Sequence, residues 1–179
     1  IHKQLPNTLL VLAPRHPERS EQVYKLCIQR GLNVVRRSEQ RTCHDQDSVF
    51  LIDTLGELRT FYGAADVAFV GGSLVPTGGH NVLEPAITGL PVLFGPHMNN
   101  FKAIAKKISE CGGGIQIKDS QTLAGQTMML LTQASHARDI GEKGRAFVEA
   151  NRGAVERVID LIDSLIQPHS YSSNHTKSS

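Results

Sequence analysis

The sequence has little aromatic character: its 179 residues include no tryptophan, six phenylalanines and three tyrosines. Single-stranded nucleic acids bind proteins largely by stacking their bases on aromatic side chains, so this shortage argues against such a ligand. The formal net charge of +2 is also too small to argue for a DNA or RNA partner. We therefore expect no nucleic acid partner.

Cysteines are scarce as well. Cys27, Cys43 and Cys111 are odd in number and far apart, and no CxxC pair occurs. This pattern argues against a disulfide framework and against a structural zinc site, and it fits a reducing compartment. Cys43 is followed directly by His44 and Asp45, but three adjacent residues in a polar loop rarely ligate a metal ion. We therefore predict no metal site.

Long hydrophobic runs are missing too. No apolar run approaches the ~18 residues that a membrane-spanning helix needs, and no signal peptide is visible. The chain begins at Ile1 rather than at a methionine, and its first residues, "IHKQLPNT", resemble the end of a connecting segment. We expect a piece of a longer protein.

What the sequence does contain is a regular alternation of short apolar runs and helical segments, repeating about every 20 residues. The apolar runs are "TLLVLAP", "NVVRR", "SVFLID", "DVAFVGG", "PVLFG" and "GGIQI". Their apolar residues are continuous, which is typical of strands covered on both faces. The pattern predicts an α/β fold with a doubly wound, Rossmann-like parallel sheet of about six strands. This domain is expected over residues 1–167, ending in the helix "GAVERVIDLIDSLIQ", and the Ser-rich residues 168–179 are expected to be a disordered tail.

Four polar segments follow strands of the predicted sheet at their carboxyl ends, where doubly wound sheets bind ligands. They are "APRHPER", "DTLGEL", "GGSLVPTGGHNVLEP" and "FGPHMNNF". We call them together the rim (residues 13–19, 53–58, 71–85 and 94–101). Their shared position predicts a single ligand site.

The first two rim segments offer groups suited to an anion. Arg15 carries a planar fork of donors that matches phosphate or carboxylate. A lone arginine here would usually be a solvated turn residue, but its position on the rim favours ligand binding. The adjacent His16 is equally suited to capping the next helix. Gly56 and Glu57 lie at a predicted helix start, where free N–H groups suit an anion. The same positions would also serve helix initiation alone, with Asp53 or Thr54 as the N-cap.

The third segment contains two glycine pairs followed by His80, Asn81 and Glu84. Asn81 and Glu84 have the spacing of a capping box, and capping alone would explain both. Capping would not explain the glycines, so we favour a ligand that approaches the backbone, with the Glu84 carboxylate accepting hydrogen bonds from a ribose. His80 and His97 are weaker candidates, because loop histidines are usually structural.

A family resemblance rests on these same residues. The segments "APRHPER", "DTLGELRTFYGAADVAFVGGSLVPTGGHNVLEPA" and "GLPVLFGPHMNNF" resemble the C-terminal domain of the Kdo (3-deoxy-D-manno-octulosonic acid) transferases, which are GT-B glycosyltransferases. The resemblance covers Leu9 to Ile166. It implies the donor-binding half of an enzyme that moves Kdo from CMP-Kdo to a lipid A precursor in lipopolysaccharide biosynthesis.

The resemblance implies nine nucleotide contacts, with Glu84 as the acid that binds the ribose. These residues are Pro14, Arg15, Leu55, Gly56, Glu57, Asn81, Val82, Leu83 and Glu84. Five further rim residues are secondary candidates: His16, Ser73, Gly79, His80 and His97.

The resemblance also implies what the chain would lack. The family's catalytic base, acceptor site and membrane anchor belong to an N-terminal domain that does not precede Ile1, so no catalytic residue is assigned here and no turnover is expected. The parent protein would act at the cytoplasmic face of the inner membrane of Gram-negative bacteria, without a metal or other cofactor. The chain itself is expected to be soluble and monomeric.

Two other interpretations stay open. The first is a different GT-B enzyme that uses a UDP-sugar, such as a UDP-N-acetylglucosamine epimerase or transferase. The second is a non-catalytic module whose rim binds a protein or an anionic lipid head group.

Overall fold

The computed structural model describes residues 1–153, which form six short strands and six α-helices. The strands are β1 (Leu10–Leu12), β2 (Val34–Arg36), β3 (Val49–Leu51), β4 (Ala68–Val70), β5 (Val92–Phe94) and β6 (Gly114–Gln116). The helices are α1 (Ser20–Gln29), α2 (Leu58–Tyr62), α3 (Leu83–Ile87), α4 (Lys102–Glu110), α5 (Ser120–Thr132) and α6 (Ala134–Ala150). The last predicted helix, beyond residue 153, and the tail 168–179 lie outside the described residues.

Strand number and direction agree with the prediction, because the described residues contain six strands and every strand pair is parallel. The strands nevertheless form two sheets of three, in the orders β1-β3-β2 and β4-β5-β6. The expectation of one continuous sheet is corrected accordingly, since β1 and β4 are not hydrogen-bonded to each other. The break falls where the strand order reverses, the switch point of a doubly wound sheet.

The second sheet is covered on both faces. Val92 and Phe94 of β5 point into one hydrophobic cluster, which includes residues of α3, α4 and α6. Leu93 points to the opposite face and packs with Leu130 and Ile140, of α5 and α6 respectively. Because successive strand residues face opposite ways, this alternation is the doubly wound arrangement that the continuous apolar run predicted.

Strand β1 is different, because it is an edge strand with exposed apolar side chains. Leu10 is 53% exposed and Val11 is 38% exposed. Successive side chains point to opposite faces, so β1 is open on both. We expected a monomer because we expected a complete sheet with helices on both faces. The open faces of β1 remove that argument, and the oligomeric state stays a prediction.

Within residues 1–153, the structure contains no helix whose length and apolar character would let it cross a membrane.

Candidate functional site

The loops after β1 and β4 meet at one contact, although the two strands belong to different sheets. Arg15 Nη1 donates a hydrogen bond to His80 Nδ1 over 3.1 Å. An arginine side chain has no acceptor, so His80 Nδ1 is the unprotonated nitrogen of a neutral ring. Burial, followed by the positive charge of Arg15 and the influence of His16, lowers the pKa of His80. The first and third rim segments therefore come together, as predicted, and Arg15 is the cation at their junction.

The second and third segments also approach each other, through α2 and α3. Burial and the negative charge of Glu84 together raise the pKa of Tyr62 to about 12. Tyr62 is the last residue of α2, and Glu84 lies in the first turn of α3. Helix α2, which the second segment enters, thus lies against α3, in which the third segment ends.

Asn81 and Glu84 are hydrogen-bonded to each other at the start of α3, but in a different way from the predicted capping box. Asn81 Oδ1 accepts a hydrogen bond from the Leu83 N–H over 3.0 Å, which caps the start of α3. Glu84 Oε1 accepts from Asn81 Nδ2 at 3.4 Å, so the glutamate bonds to the asparagine side chain rather than to its backbone. Among residues 1–153, no hydrogen bond engages Glu84 Oε2. One carboxylate oxygen is therefore open to a ligand.

Glu57 is engaged on both oxygens. Its Oε1 accepts from Arg37 Nε at 3.1 Å and from Arg37 Nη2 at 2.8 Å. Its Oε2 accepts from the Thr54 hydroxyl. The Thr54 hydrogen bond, and then the one from Arg37, lower the pKa of Glu57. With its carboxylate occupied, Glu57 can meet a ligand through its backbone, and no hydrogen bond within residues 1–153 engages its N–H or that of Gly56.

Arg37 was missed in the sequence although a signal for it was present. It is the last residue of the predicted strand "NVVRR", so it belongs to the same carboxyl edge as the rim. The structure ends β2 one residue earlier and places Arg37 in the 3-10 turn Arg37–Glu39. Arg37 would have been among the candidates if the carboxyl end of every predicted strand had been included in the rim.

Three of the four glycines in the third segment have a reason within the fold, which stands beside the ligand that we favoured from the sequence. Gly72, Gly78 and Gly79 adopt positive φ angles of 69°, 94° and 70°, which residues with a Cβ rarely adopt. A Cβ on Gly78 would lie 2.9 Å from Asn100 Nδ2, and one on Gly79 would overlap Met98 Sδ. The third rim segment is thus packed directly against the fourth.

Ser73 is a structural residue, so its place among the secondary candidates is corrected. Its side chain is fully buried. Its hydroxyl donates to the Val70 carbonyl over 2.5 Å and accepts from the Gly95 N–H over 2.7 Å. Its carbonyl accepts from the His97 N–H over 2.9 Å. These bonds join the ends of β4 and β5 and leave the hydroxyl unavailable to a ligand.

The remaining candidates differ in what they can offer. Val82 and Leu83 are buried in the core at 0% and 2% exposure, so their side chains cannot reach a ligand and only their backbone stays a candidate. Pro14 is half-buried, and Leu55 is 78% exposed. The exposed ring of His16 lies 3.5 Å from Glu18.

Helices α2 and α3 have five residues each, so their dipoles add little to the predicted anion site. Surface depressions of about 530 and 420 Å³ lie elsewhere, the first lined by residues 43–46 and the second within residues 118–126. Among the described residues, no three His, Cys, Asp or Glu side chains are grouped so that they could hold a metal ion. The Arg15–His80 contact at the rim is exposed to water.

Comparison with known proteins gives this surface a context. No protein-family model matches the chain. The 3-deoxy-D-manno-octulosonic acid transferase of Haemophilus influenzae is 37% identical over 163 residues, which are 90% of this chain and 38% of that protein. The enzyme of the same name from Bordetella pertussis is 36% identical over 159 residues, 88% of this chain and 37% of that protein. The chain is a relative of the Kdo transferases.

A solved structure narrows the similarity to one part of those enzymes. The C-terminal CMP-Kdo binding domain of WaaA from Acinetobacter baumannii matches with a TM-score of 0.74 and 28% identity, over 81% of this chain and 92% of that one. The fold is therefore that of the Rossmann-like C-terminal domain of the GT-B class. The chain spans less than two fifths of the length of the two Kdo transferases above.

Proposed function

We propose that the chain is the donor-binding domain of a Kdo transferase and that its rim binds the CMP part of CMP-Kdo. The observation that most supports this proposal is the contact between Arg15 and His80. It joins two loops into one surface, with a guanidinium where they meet. Similarity to Kdo transferases and to a CMP-Kdo binding domain supports the choice of ligand.

Each group on this surface has a distinct task. Arg15 provides charge and a planar fork of donors for the phosphate, and among residues 1–153 it makes no ion pair. Glu84 uses its open Oε2 to accept hydrogen bonds from the ribose hydroxyls. The free N–H groups of Gly56 and Glu57 offer further donors to the nucleotide. Of the nine predicted contacts, these four are the ones to which we assign a task.

The whole enzyme's reaction is part of the same proposal. In it, Kdo passes from CMP-Kdo to a lipid A precursor at the cytoplasmic face of the inner membrane, without a metal or other cofactor. Inverting glycosyl transfer needs a general base beside the acceptor hydroxyl. We assign that base, and the acceptor site, to the part of the Kdo transferases that this chain does not match. The chain alone should not transfer Kdo, and transfer by purified material free of a full-length enzyme would contradict this.

The binding proposal is tested by titrating the ¹⁵N-labelled chain with CMP and following its amide shifts. We expect shifts at rim residues and a millimolar dissociation constant, about 4 kcal/mol, because the chain supplies one side of a two-domain cleft. UMP and UDP are the competitors. Tighter binding of UDP would favour a UDP-sugar enzyme, and shifts confined to other surfaces would contradict the proposal.

A further inference from the structure

Arg37 lies outside the four segments of the rim but reaches one of them. It follows β2, and its guanidinium makes both of its hydrogen bonds to one oxygen of Glu57. The two side chains are 36% and 33% exposed, so the pair is partly shielded from water. Glu57 belongs to the rim segment that follows β3. The contact therefore ties the end of one strand to the loop after its neighbour.

The backbone beside Arg37 is fixed as well. The Ser38 N–H donates to Asp53 Oδ1 over 2.9 Å, and the Ser38 hydroxyl donates to Asp53 Oδ2 over 2.6 Å. Asp53 is the first residue of the same rim segment. With its turn attached at two points, Arg37 loses little further freedom when its planar fork binds Glu57.

The order of the strands shows on which side of Glu57 each arginine lies. In the first sheet β3 lies between β1 and β2. Glu57 follows β3, Arg15 follows β1 and Arg37 follows β2. The hydrogen bonds to Arg37 therefore hold the Glu57 carboxylate on the β2 side of β3, whereas Arg15 follows the strand on the other side. Without Arg37, that carboxylate would keep its Thr54 hydrogen bond but would be free to turn toward Arg15.

We propose that Arg37 is a positioning residue of the rim: it withholds the Glu57 carboxylate from Arg15, so that Arg15 stays available to the phosphate of a nucleotide. This inference rests on the function proposed above. A carboxylate paired with Arg15 would compete with phosphate for the same donors, and its negative charge would repel the ligand.

The first test is a double-mutant cycle with CMP as the probe. Arg37→Met is made in the native chain and in Glu57→Gln, and the four proteins are titrated at one ionic strength. We expect Arg37→Met to weaken CMP binding about fivefold with Glu57 present and less than about twofold with Gln in its place. Arg30→Met is the matched control, since it removes the same charge from an exposed position at the end of α1. Equal losses in both backgrounds would overturn the proposal.

The second test needs no ligand. Arg15 helps to lower the pKa of His80, so His80 reports whether Arg15 is paired elsewhere. We expect Arg37→Met to raise the pKa of His80, followed by its Cε1–H shift, and expect no such rise in the Glu57→Gln background. A purely structural role would not give this pattern, and an unmoved His80 in Arg37→Met would overturn the proposal.

The two tests separate the inference from the function on which it rests. If the native chain fails to bind CMP while His80 responds as expected, the proposed ligand is wrong and the arrangement of Arg37, Glu57 and Arg15 stands. If CMP binds but the cycle shows no coupling, the role of Arg37 is wrong and the proposed function stands.

Discussion

The substitution Glu84→Gln tests the assignment on which the ribose contact depends. The change is nearly isosteric and keeps an Oε1 that can accept from Asn81 Nδ2, the hydrogen bond that Glu84 makes in the structure. Stability should change by less than about 0.5 kcal/mol, because that bond is long and the residue is only half-buried. What the variant loses is the charge and the second acceptor, Oε2.

The expected loss in CMP affinity follows from that difference. A hydrogen bond to a charged acceptor contributes about 1.5–3 kcal/mol, and we take the lower end because the site is open to water. Binding should therefore weaken about tenfold, which corresponds to ~1.4 kcal/mol. Charge alone predicts the opposite sign. If Glu84 stood about 8 Å from the phosphate without touching the ribose, its removal would relieve ~0.5 kcal/mol of repulsion and strengthen binding about twofold.

The assay is an amide-shift titration with CMP on the native chain, on Glu84→Gln and on Glu110→Gln. Glu110 is an exposed residue at the end of α4 that pairs with Lys106 at 3.7 Å, so its substitution removes the same charge away from the rim. Thermal unfolding of all three proteins checks that the fold is intact. Unchanged or increased affinity in Glu84→Gln would remove Glu84 from the ribose contact.

Three further predictions concern the fold and its charges. Ser73→Ala should lower the free energy of unfolding in urea by about 2 kcal/mol, because it leaves a buried N–H without a partner, and a loss below about 0.5 kcal/mol would contradict this. Val35→Ala, at a fully buried site, should lower the free energy of unfolding by about 2 kcal/mol. Val11→Ala, on the open strand β1, should lower it by less than about 1 kcal/mol, and similar values would refute the difference in burial. Arg15→Gln should raise the pKa of His80 in an NMR titration. Unfolded His80 binds a proton more readily than folded His80, so its contribution to stability is present at neutral pH and is lost as the pH falls below about 6.5. This loss should be less steep in Arg15→Gln. An equally steep fall of the free energy of unfolding in both proteins would count against the Arg15 contribution.

Much of the fold followed from periodicity, because each short apolar run occupies one strand. The pairing of the strands could not be predicted, because the residue pattern of one strand does not identify the strand that lies beside it. The residues of β5 and β1 look alike in the sequence, yet Leu93 is fully buried and Leu10 is 53% exposed. Burial here depends on what lies beside the strand.

Within the candidate site, the sequence predicted which loops meet better than it predicted what each side chain does. The rule about carboxyl ends predicted that the loops after β1 and β4 meet, and Arg15 and His80 join them. It could not show that the Glu57 carboxylate is already bound by Arg37, because that contact joins residues 20 positions apart. Nor could it separate Ser73, whose hydroxyl is used within the fold, from a serine that faces a ligand.

The split sheet bears on how tightly the rim can bind. Hydrogen bonds between strands do not join β1 to β4, so the first and third rim segments are held together at their ends by the exposed contact between Arg15 and His80. Such a contact contributes about 1 kcal/mol. A nucleotide that binds Arg15 through its phosphate and Glu84 through its ribose would bridge the same two segments, and part of its binding free energy would go into fixing their separation. Low affinity in the isolated chain is therefore consistent with a correctly assigned site, and the ratio of affinities between variants is a better test of the assignment than the affinity itself.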